Sequence, residues 1–170
     1  LLMSNYITSN FSNLIFSCSV PSQWHMEHRV TDHCVVFVRQ GKLLISDKGR
    51  TEEIPAGSCV FLKKDCSVRL VKASFAGKNY EGLNIRLPQN ILEDYFQRHL
   101  KNNEFPQDFT GLSNCFMRLN RTLCLQGLLS SIILFVEEGQ DPGQEMTELK
   151  VEELILDLLQ TNIRFFPTLF

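Results

Sequence analysis

The residues best suited to metal chemistry are three closely spaced histidines, His25, His28 and His33, with Glu27 and Asp32 between them. Imidazole and carboxylate groups are common ligands of zinc and other transition metals. Neighbouring side chains of a strand alternate between its two faces, so His25 and His28 point to opposite sides. The three histidines therefore cannot share one ion on a regular strand. We expect no metal site, no cofactor and no catalytic residue.

Two cysteine and histidine pairs could in principle form a nucleophile, Cys34 with His33 and Cys66 with His25. A thiolate beside an imidazole is the usual arrangement for covalent catalysis by cysteine. Neither pair stands in a local signature of that chemistry, and the sequence has no nucleophile elbow, phosphate-binding glycine loop or zinc-protease motif. The sequence therefore favours a binding protein over an enzyme.

The clearest turn signal lies between Gly49 and Gly57, where a glycine is followed by five residues and then by Pro55-Ala-Gly57. Gly57 can adopt positive φ, and Pro55 fixes φ without donating to a strand ladder, so both suit a corner between strands. The spacing resembles a cupin barrel, in which a metal-binding histidine follows shortly after. Val60 occupies that place here. We interpret the barrel as a binding shell without an ion.

Short alternating apolar runs predict strands up to Leu87, and helical periodicity begins after Pro88. The predicted strands are Asn13–Ser19, Gln23–Val30, Cys34–Arg39, Lys42–Ser46, Arg50–Ile54, Ser58–Lys63, Ser67–Val71 and Tyr80–Leu87. One helix should follow Pro88, and two more should span about 122–138 and 147–162. The fold class is therefore α+β, with a small barrel or double-stranded β-helix at 10–87 and a helical region at 88–166.

A few polar side chains on the predicted strands are candidates for orienting a small ligand inside the barrel, namely Trp24, His28, Arg69, Tyr80 and Arg86. An inward arginine would favour a carboxylate or phosphate, because its planar fork pairs with two oxygens. Two alternatives remain open at this point. The side chains could face water outside the barrel, or phenylalanines could fill the interior and leave no room for a ligand.

The last two predicted helices carry more apolar residues than one buried face needs, which favours pairing with a second copy of the chain. The predicted dimer interface is Leu128, Ile132, Val151, Leu154, Ile155 and Leu158. The alternative is an ordinary core in which the helices pack only on each other and on the barrel.

Composition limits the classes of partner. The 170 residues carry a net charge of −2, which gives no positive field for binding nucleic acid through this segment alone. No apolar run is long enough to span a membrane, and the first residues lack the basic segment and the cleavage site of a secretory signal, so we expect no membrane partner. The six cysteines show no metal-binding spacing, so we expect reduced, mostly buried thiols in the cytoplasm.

Three segments together carry a family resemblance: Val35–Ser46, then Ile54–Leu62 with its Pro-Ala-Gly corner, then the helical run Leu149–Gln160. They resemble the N-terminal regulatory domain of AraC/XylS-family transcription regulators, in the ExsA-like subgroup. The resemblance extends from about Asn13 to Phe166.

The resemblance implies a cytoplasmic bacterial protein whose cupin-like barrel receives a signal and whose helices form a homodimer. It also implies that the parent protein binds DNA through a C-terminal pair of helix-turn-helix motifs, which we expect to lie beyond this chain. The signal could be a small-molecule effector or a regulatory protein. A small metal-dependent cupin enzyme is the remaining alternative.

Overall fold

A computed structural model describes residues 6–105 and 107–170. These residues contain ten strands and four α-helices, with nine strands before the first helix and one between the first and second helices. The strands are β1 Ile7–Phe11, β2 Ile15–Val20, β3 Trp24–Arg29, β4 His33–Gln40, β5 Lys42–Asp47, β6 Arg50–Pro55, β7 Cys59–Leu62, β8 Ser67–Ala73, β9 Tyr80–Leu87 and β10 Phe116–Arg118. The helices are α1 Gln89–Tyr95, which continues as a π-helical turn at Phe96–Leu100, α2 Leu123–Glu138, α3 Gln144–Thr161 and α4 Phe165–Leu169.

The strands form two antiparallel sheets that enclose the first of two cores. One sheet has the order β1-β2-β9-β4-β7-β10, and the other has the order β3-β8-β5-β6. Gly41 makes the tight β4–β5 connection with φ of 73°, and a Cβ there would lie 2.5 Å from the carbonyl oxygen of Ala73. Only glycine fits that corner without a backbone shift. The predicted α+β class, with a small cupin-like barrel followed by helices, is confirmed.

The six-stranded sheet is buried on both faces, and its alternating side chains belong to different cores. On β4, Val36 and Val38 point between the two sheets, whereas Val35 points toward the helices. On β7, Val60 faces inward and Phe61 faces the helices. The second core, between this sheet and the helices, contains the apolar faces of α2 and α3. This sheet is therefore a single layer that separates the barrel interior from the helical region.

Helix α2 begins and ends where its sequence provides caps. The Thr122 hydroxyl accepts a hydrogen bond from the backbone N–H of Leu125 at 2.9 Å and donates one to a carboxylate oxygen of Asp157 on α3 at 2.8 Å. Gly139 ends the helix in the left-handed conformation, with φ of 62°. No helix within residues 6–105 and 107–170 combines the length and apolar character that crossing a membrane needs.

Strand β10 lies inside the region that the sequence predicts to be helical, and it pairs with β7 at the edge of the six-stranded sheet. Strand β1 starts at Ile7, ahead of the expected start of the barrel at residue 10. The barrel therefore draws strands from both sides of the proposed boundary at 87/88, and the division into 10–87 and 88–166 remains a prediction.

The expectation of six reduced thiols is wrong for two of them. Cys66, in the turn before β8, forms a disulfide with Cys115, just before β10, and the two Cα atoms are 5.6 Å apart. Cys18, Cys34 and Cys59 are free and at least half-buried, and Cys124 is free and exposed. The two bonded residues are 49 positions apart, and no sequence pattern connects them, because their proximity arises only when β10 joins β7.

Candidate functional site

A cavity of about 220 Å³ lies between the two sheets. Its wall is mostly apolar and includes side chains from both sheets. These are Ile7, Phe16, Met26, Val36, Leu43, Leu62 and Leu70. Polar groups also line it, among them His28, Asp32, Lys72, Asn84 and Arg86. A concave apolar space with a few polar groups is the usual form of a small-molecule site. The barrel is therefore hollow rather than filled by its aromatic residues.

Lys72 places a cation in this cavity. Lys72 is only 3% exposed. Its Nζ donates to the Sγ atom of Cys18 at 3.5 Å and lies 5.5 Å from the ring centre of Trp24 and 5.4 Å from that of Tyr80. A thiol sulfur is a weak acceptor, and aromatic faces attract a cation only modestly. Among the described residues, no carboxylate forms an ion pair with Lys72.

Asp32 and Arg86 neutralise each other where the β3–β4 connection meets the cavity. A guanidinium nitrogen of Arg86 donates to the Asp32 carboxylate at 2.5 Å, and another donates to the backbone carbonyl of Asn13 at 2.8 Å. The Arg86 side chain is 38% exposed and that of Asp32 is 19% exposed. This pair therefore contributes no net charge to the cavity, and Arg86 is committed to a partner within the chain.

The neighbouring titratable groups are held neutral. Burial lowers the pKa of His28, and the nearby positive charge of Lys72 lowers it further. Burial raises the pKa of the Cys34 thiol to about 12, with a contribution from the negative charge of Asp32. Burial also raises the pKa of Tyr80 well above its ordinary value. Lys72 is thus the cavity cation that no carboxylate among the described residues balances.

The predicted ligand-binding residues fall on both sides of the barrel wall. His28 and Arg86 line the cavity, and Trp24 and Tyr80 lie against the Lys72 ammonium group. Arg69 lies outside the cavity. It is on the outer face of β8, where its Nε donates to Glu27 at 2.7 Å and its side chain is 65% exposed. The reason is strand alternation, since Leu70 on the same strand faces inward.

Sequence reasoning missed Lys72, although a signal for it was present. Val68, Leu70 and Lys72 are two residues apart and share one face of β8, so a lysine that continues an apolar row would be recognised as inward. The predicted strand ends at Val71, two residues before the end of β8, and so leaves Lys72 out.

The histidines and cysteines do not assemble a reactive centre. His25 is exposed on the outer face of β3, opposite the cavity-facing His28, as strand alternation predicts. His33 is buried and stacks on Phe61, its Nδ1 accepts a hydrogen bond from the backbone N–H of Lys64 at 3.0 Å, and burial lowers its pKa to about 4. Among residues 6–105 and 107–170, no three His, Cys, Asp or Glu side chains come close enough to hold a metal ion.

The predicted dimer interface lies inside one chain. All six residues, Leu128, Ile132, Val151, Leu154, Ile155 and Leu158, are at most 2% exposed and pack in the core between the helices and the six-stranded sheet. In this conformation they cannot contact a second copy. The apolar side chains that do reach the surface of these helices are Leu123, Leu134, Met146, Leu149 and Leu156.

Residues 33–165 match the family model described as the ExsA N-terminal regulatory domain. No curated protein sequence matches the chain.

Three solved structures of ToxT from Vibrio cholerae share the fold. An apo variant is 14% identical over 94% of this chain and 61% of its own, with a TM-score of 0.66. ToxT bound to an unsaturated fatty acid is 12% identical over 86% of this chain and 53% of its own, with a TM-score of 0.59. ToxT bound to (E)-4-(8-methylnaphthalen-1-yl)but-3-enoic acid is 14% identical over 86% of this chain and 55% of its own, with a TM-score of 0.58. The chain thus spans little more than half the length of these proteins.

Proposed function

The chain belongs to the family of ExsA N-terminal regulatory domains, of the AraC type, and from this premise we propose that it senses a small-molecule effector in the cavity between its sheets. The observation that carries the proposal is the cavity itself, about 220 Å³ of mostly apolar space around the buried cation of Lys72. A barrel that responded only to a protein partner would have no need of this space. We propose that the domain is not catalytic.

The ligands of ToxT support a small apolar effector. One ToxT structure contains an unsaturated fatty acid, and another contains a naphthalenyl butenoic acid. Both compounds combine an apolar body with a carboxyl group. At 12–14% identity, ToxT shares only the fold with this chain. The cavity of this chain independently offers the matching chemistry, an apolar wall with a cation.

We propose that the parent protein is a cytoplasmic transcription regulator that binds DNA through a helix-turn-helix domain outside this chain. The net charge of −2 of the chain itself is unsuited to a phosphate backbone. An effector can control DNA binding only if the domain has two conformations that bind the effector with different affinities.

We further propose that the domain forms a homodimer through the outer faces of α2 and α3. The α2 segment from 122 to 136 holds no charged residue. Its exposed positions include Leu123, Gly127, Ser130 and Leu134, which share one side of the helix at the 3.6-residue period. Leu149 and Leu156 are similarly exposed on α3. The uncharged outer face of α2, with its isolated leucines, suits a two-fold contact better than it suits water.

A pair of tryptophan substitutions tests the cavity as the effector site. Leu70→Trp adds bulk to the cavity wall, whereas Arg69→Trp changes the neighbouring residue on the outer face of the same strand. We expect the two ToxT ligands, or related apolar acids, to raise the melting temperature of the unaltered chain and of Arg69→Trp but not of Leu70→Trp. If the Leu70→Trp variant responded like the unaltered chain, the effector would not bind between the sheets.

A further inference from the structure

We propose that Lys72 is the anion-binding group of the cavity, and that its ligand is a compact monocarboxylate with an apolar body of about six to ten carbons. This inference rests on the proposed function of the cavity and specifies its ligand. It makes three separate claims, about the sign of the ligand's charge, the number of its charges and its size.

The sign follows from the environment of the Lys72 ammonium group. A buried cation is costly unless it is paired with an anion or fully hydrogen-bonded. Lys72 has three N–H donors, and its acceptors among the described residues are one thiol sulfur and two aromatic faces. A carboxylate placed in the cavity would replace the weak thiol contact with a charge-assisted hydrogen bond. The apo domain therefore gains more from an anionic ligand than from a neutral one of equal size.

The number of charges follows from the other ionisable groups that face the cavity. Asp32 already balances Arg86. Burial and Lys72 lower the pKa of His28, so that it adds no second cation at neutral pH. The Cys34 thiol, with its pKa of about 12, adds no negative charge. Among the described residues that line the cavity, one unbalanced positive charge remains, which matches a single carboxylate and is insufficient for a dianion such as a phosphate monoester.

The size follows from the cavity volume. About 220 Å³ corresponds to the liquid volume of roughly seven water molecules, at about 30 Å³ each. That space accommodates a short fatty acid or an aromatic acid, and it is too small for a chain of about sixteen carbons unless the wall opens. The wall residues Phe16, Met26 and Leu70 offer apolar contacts, so a polyhydroxylated ligand such as a sugar would lose hydrogen bonds to water without replacement.

The test compares three ligands of equal length with different head groups on the full chain. Octanoate, 1-octanol and octylammonium are titrated by isothermal calorimetry at neutral pH. We expect octanoate to bind at least tenfold more tightly than 1-octanol, and octylammonium to bind more weakly than either. Hexadecanoate should bind more weakly than octanoate.

Two substitutions at Lys72 and one matched control assign the preference to this residue. Lys72→Met should remove the preference for octanoate over 1-octanol, and Lys72→Arg should retain it. Arg69→Met removes a positive charge from the outer face of the same strand and should leave the preference unchanged. If Lys72→Met fails to fold, the comparison of octanoate with 1-octanol on the unaltered chain still decides the sign of the ligand's charge.

The outcomes separate this inference from the proposed function. Equal binding of octanoate and 1-octanol by the unaltered chain would overturn the assignment of Lys72 while leaving a cavity that senses apolar molecules. A preference that survives in Lys72→Met would place the anion elsewhere and overturn it as well. Tighter binding of hexadecanoate would overturn the claim about size. If no ligand binds, and Leu70→Trp also behaves as the unaltered chain, the proposed effector site itself fails.

Discussion

Replacing a leucine by lysine on α2 or on α3 should have opposite consequences, depending on which side of the helix the residue occupies. Leu158 of α3 is 1% exposed, whereas Leu134 of α2 is 61% exposed. Leu158 packs in the same core as Val151 and Leu154, against the six-stranded sheet. The sequence predicts Leu158 to lie in a dimer interface, where a charge would separate the two copies and leave the barrel folded. The burial of Leu158 changes that expectation.

The cost of Leu158→Lys has two parts. Removing a buried leucine side chain costs about 2–5 kcal/mol of unfolding free energy. Placing an ammonium group in that apolar core costs several kcal/mol more. The sum, roughly 5–10 kcal/mol, is as large as the whole stability of a typical domain, about 5–15 kcal/mol. We therefore expect Leu158→Lys to abolish cooperative unfolding.

Leu134→Lys is the matched variant on the surface. An exposed substitution changes the unfolding free energy by only about 0.5 kcal/mol, so the melting temperature should move by about 2 °C or less. If the outer face of α2 pairs with a second copy, the same variant should halve the mass measured by light scattering at concentrations where the unaltered chain is dimeric.

Thermal melts followed by circular dichroism, together with light scattering, check both variants. A Leu158→Lys protein that melts cooperatively near the temperature of the unaltered chain would refute the packing of α3 on the sheet. A Leu134→Lys protein of unchanged dimeric mass would exclude Leu134 from the self-association surface.

Three further predictions concern stability. Cys66→Ser removes the disulfide to Cys115 and should lower the unfolding free energy by about 4 kcal/mol by the loop-entropy relation for a separation of 49 residues; reductant should destabilise the unaltered chain equally and the variant not at all. Thr122→Ala loses both the cap of α2 and the hydrogen bond to Asp157 and should cost about 2–4 kcal/mol in urea denaturation, whereas Thr122→Ser, which keeps the hydroxyl, should remain near the original. His33, with its pKa lowered to about 4 by burial, stabilises the fold in its neutral form, so stability should be lost as pH falls from about 6.5 to about 4; His33→Gln should show a shallower loss across that window, and an identical loss would contradict a role for His33.

Much of the barrel could be predicted from sequence because its strands alternate and its corners carry glycine and proline. The predicted strand Tyr80–Leu87 has the bounds of β9, and the other seven predicted strands overlap β2 to β8. Strands β1 and β10 were missed. Strand β10 has three residues, too few to show a period, and it exists because it pairs with β7 across a distant part of the chain. Local pattern does not record such a partner.

The site was harder to predict because two basic residues of one strand, three positions apart, have opposite roles. A strand pattern gives the two faces but not which of them is inward, and a polar residue on either face looks equally suited to a ligand. Arg69 satisfies its charge outside with Glu27, whereas Lys72 is turned inward with Leu70. The helices posed a related problem. Most of their apolar residues cover one broad face of the six-stranded sheet, so their high apolar content does not require a second chain.

The six-stranded sheet also indicates which substitutions should make the regulator insensitive to its effector. Val36 of β4 lines the cavity between the sheets, and its immediate neighbour Val35 packs toward the helices. A shift of this strand therefore moves side chains in the cavity and side chains under the helices at the same time. If the cavity binds the effector as proposed, a genetic selection for regulators whose activity no longer depends on the effector should recover substitutions at helix-facing positions such as Val35 and Leu83, which do not line the cavity.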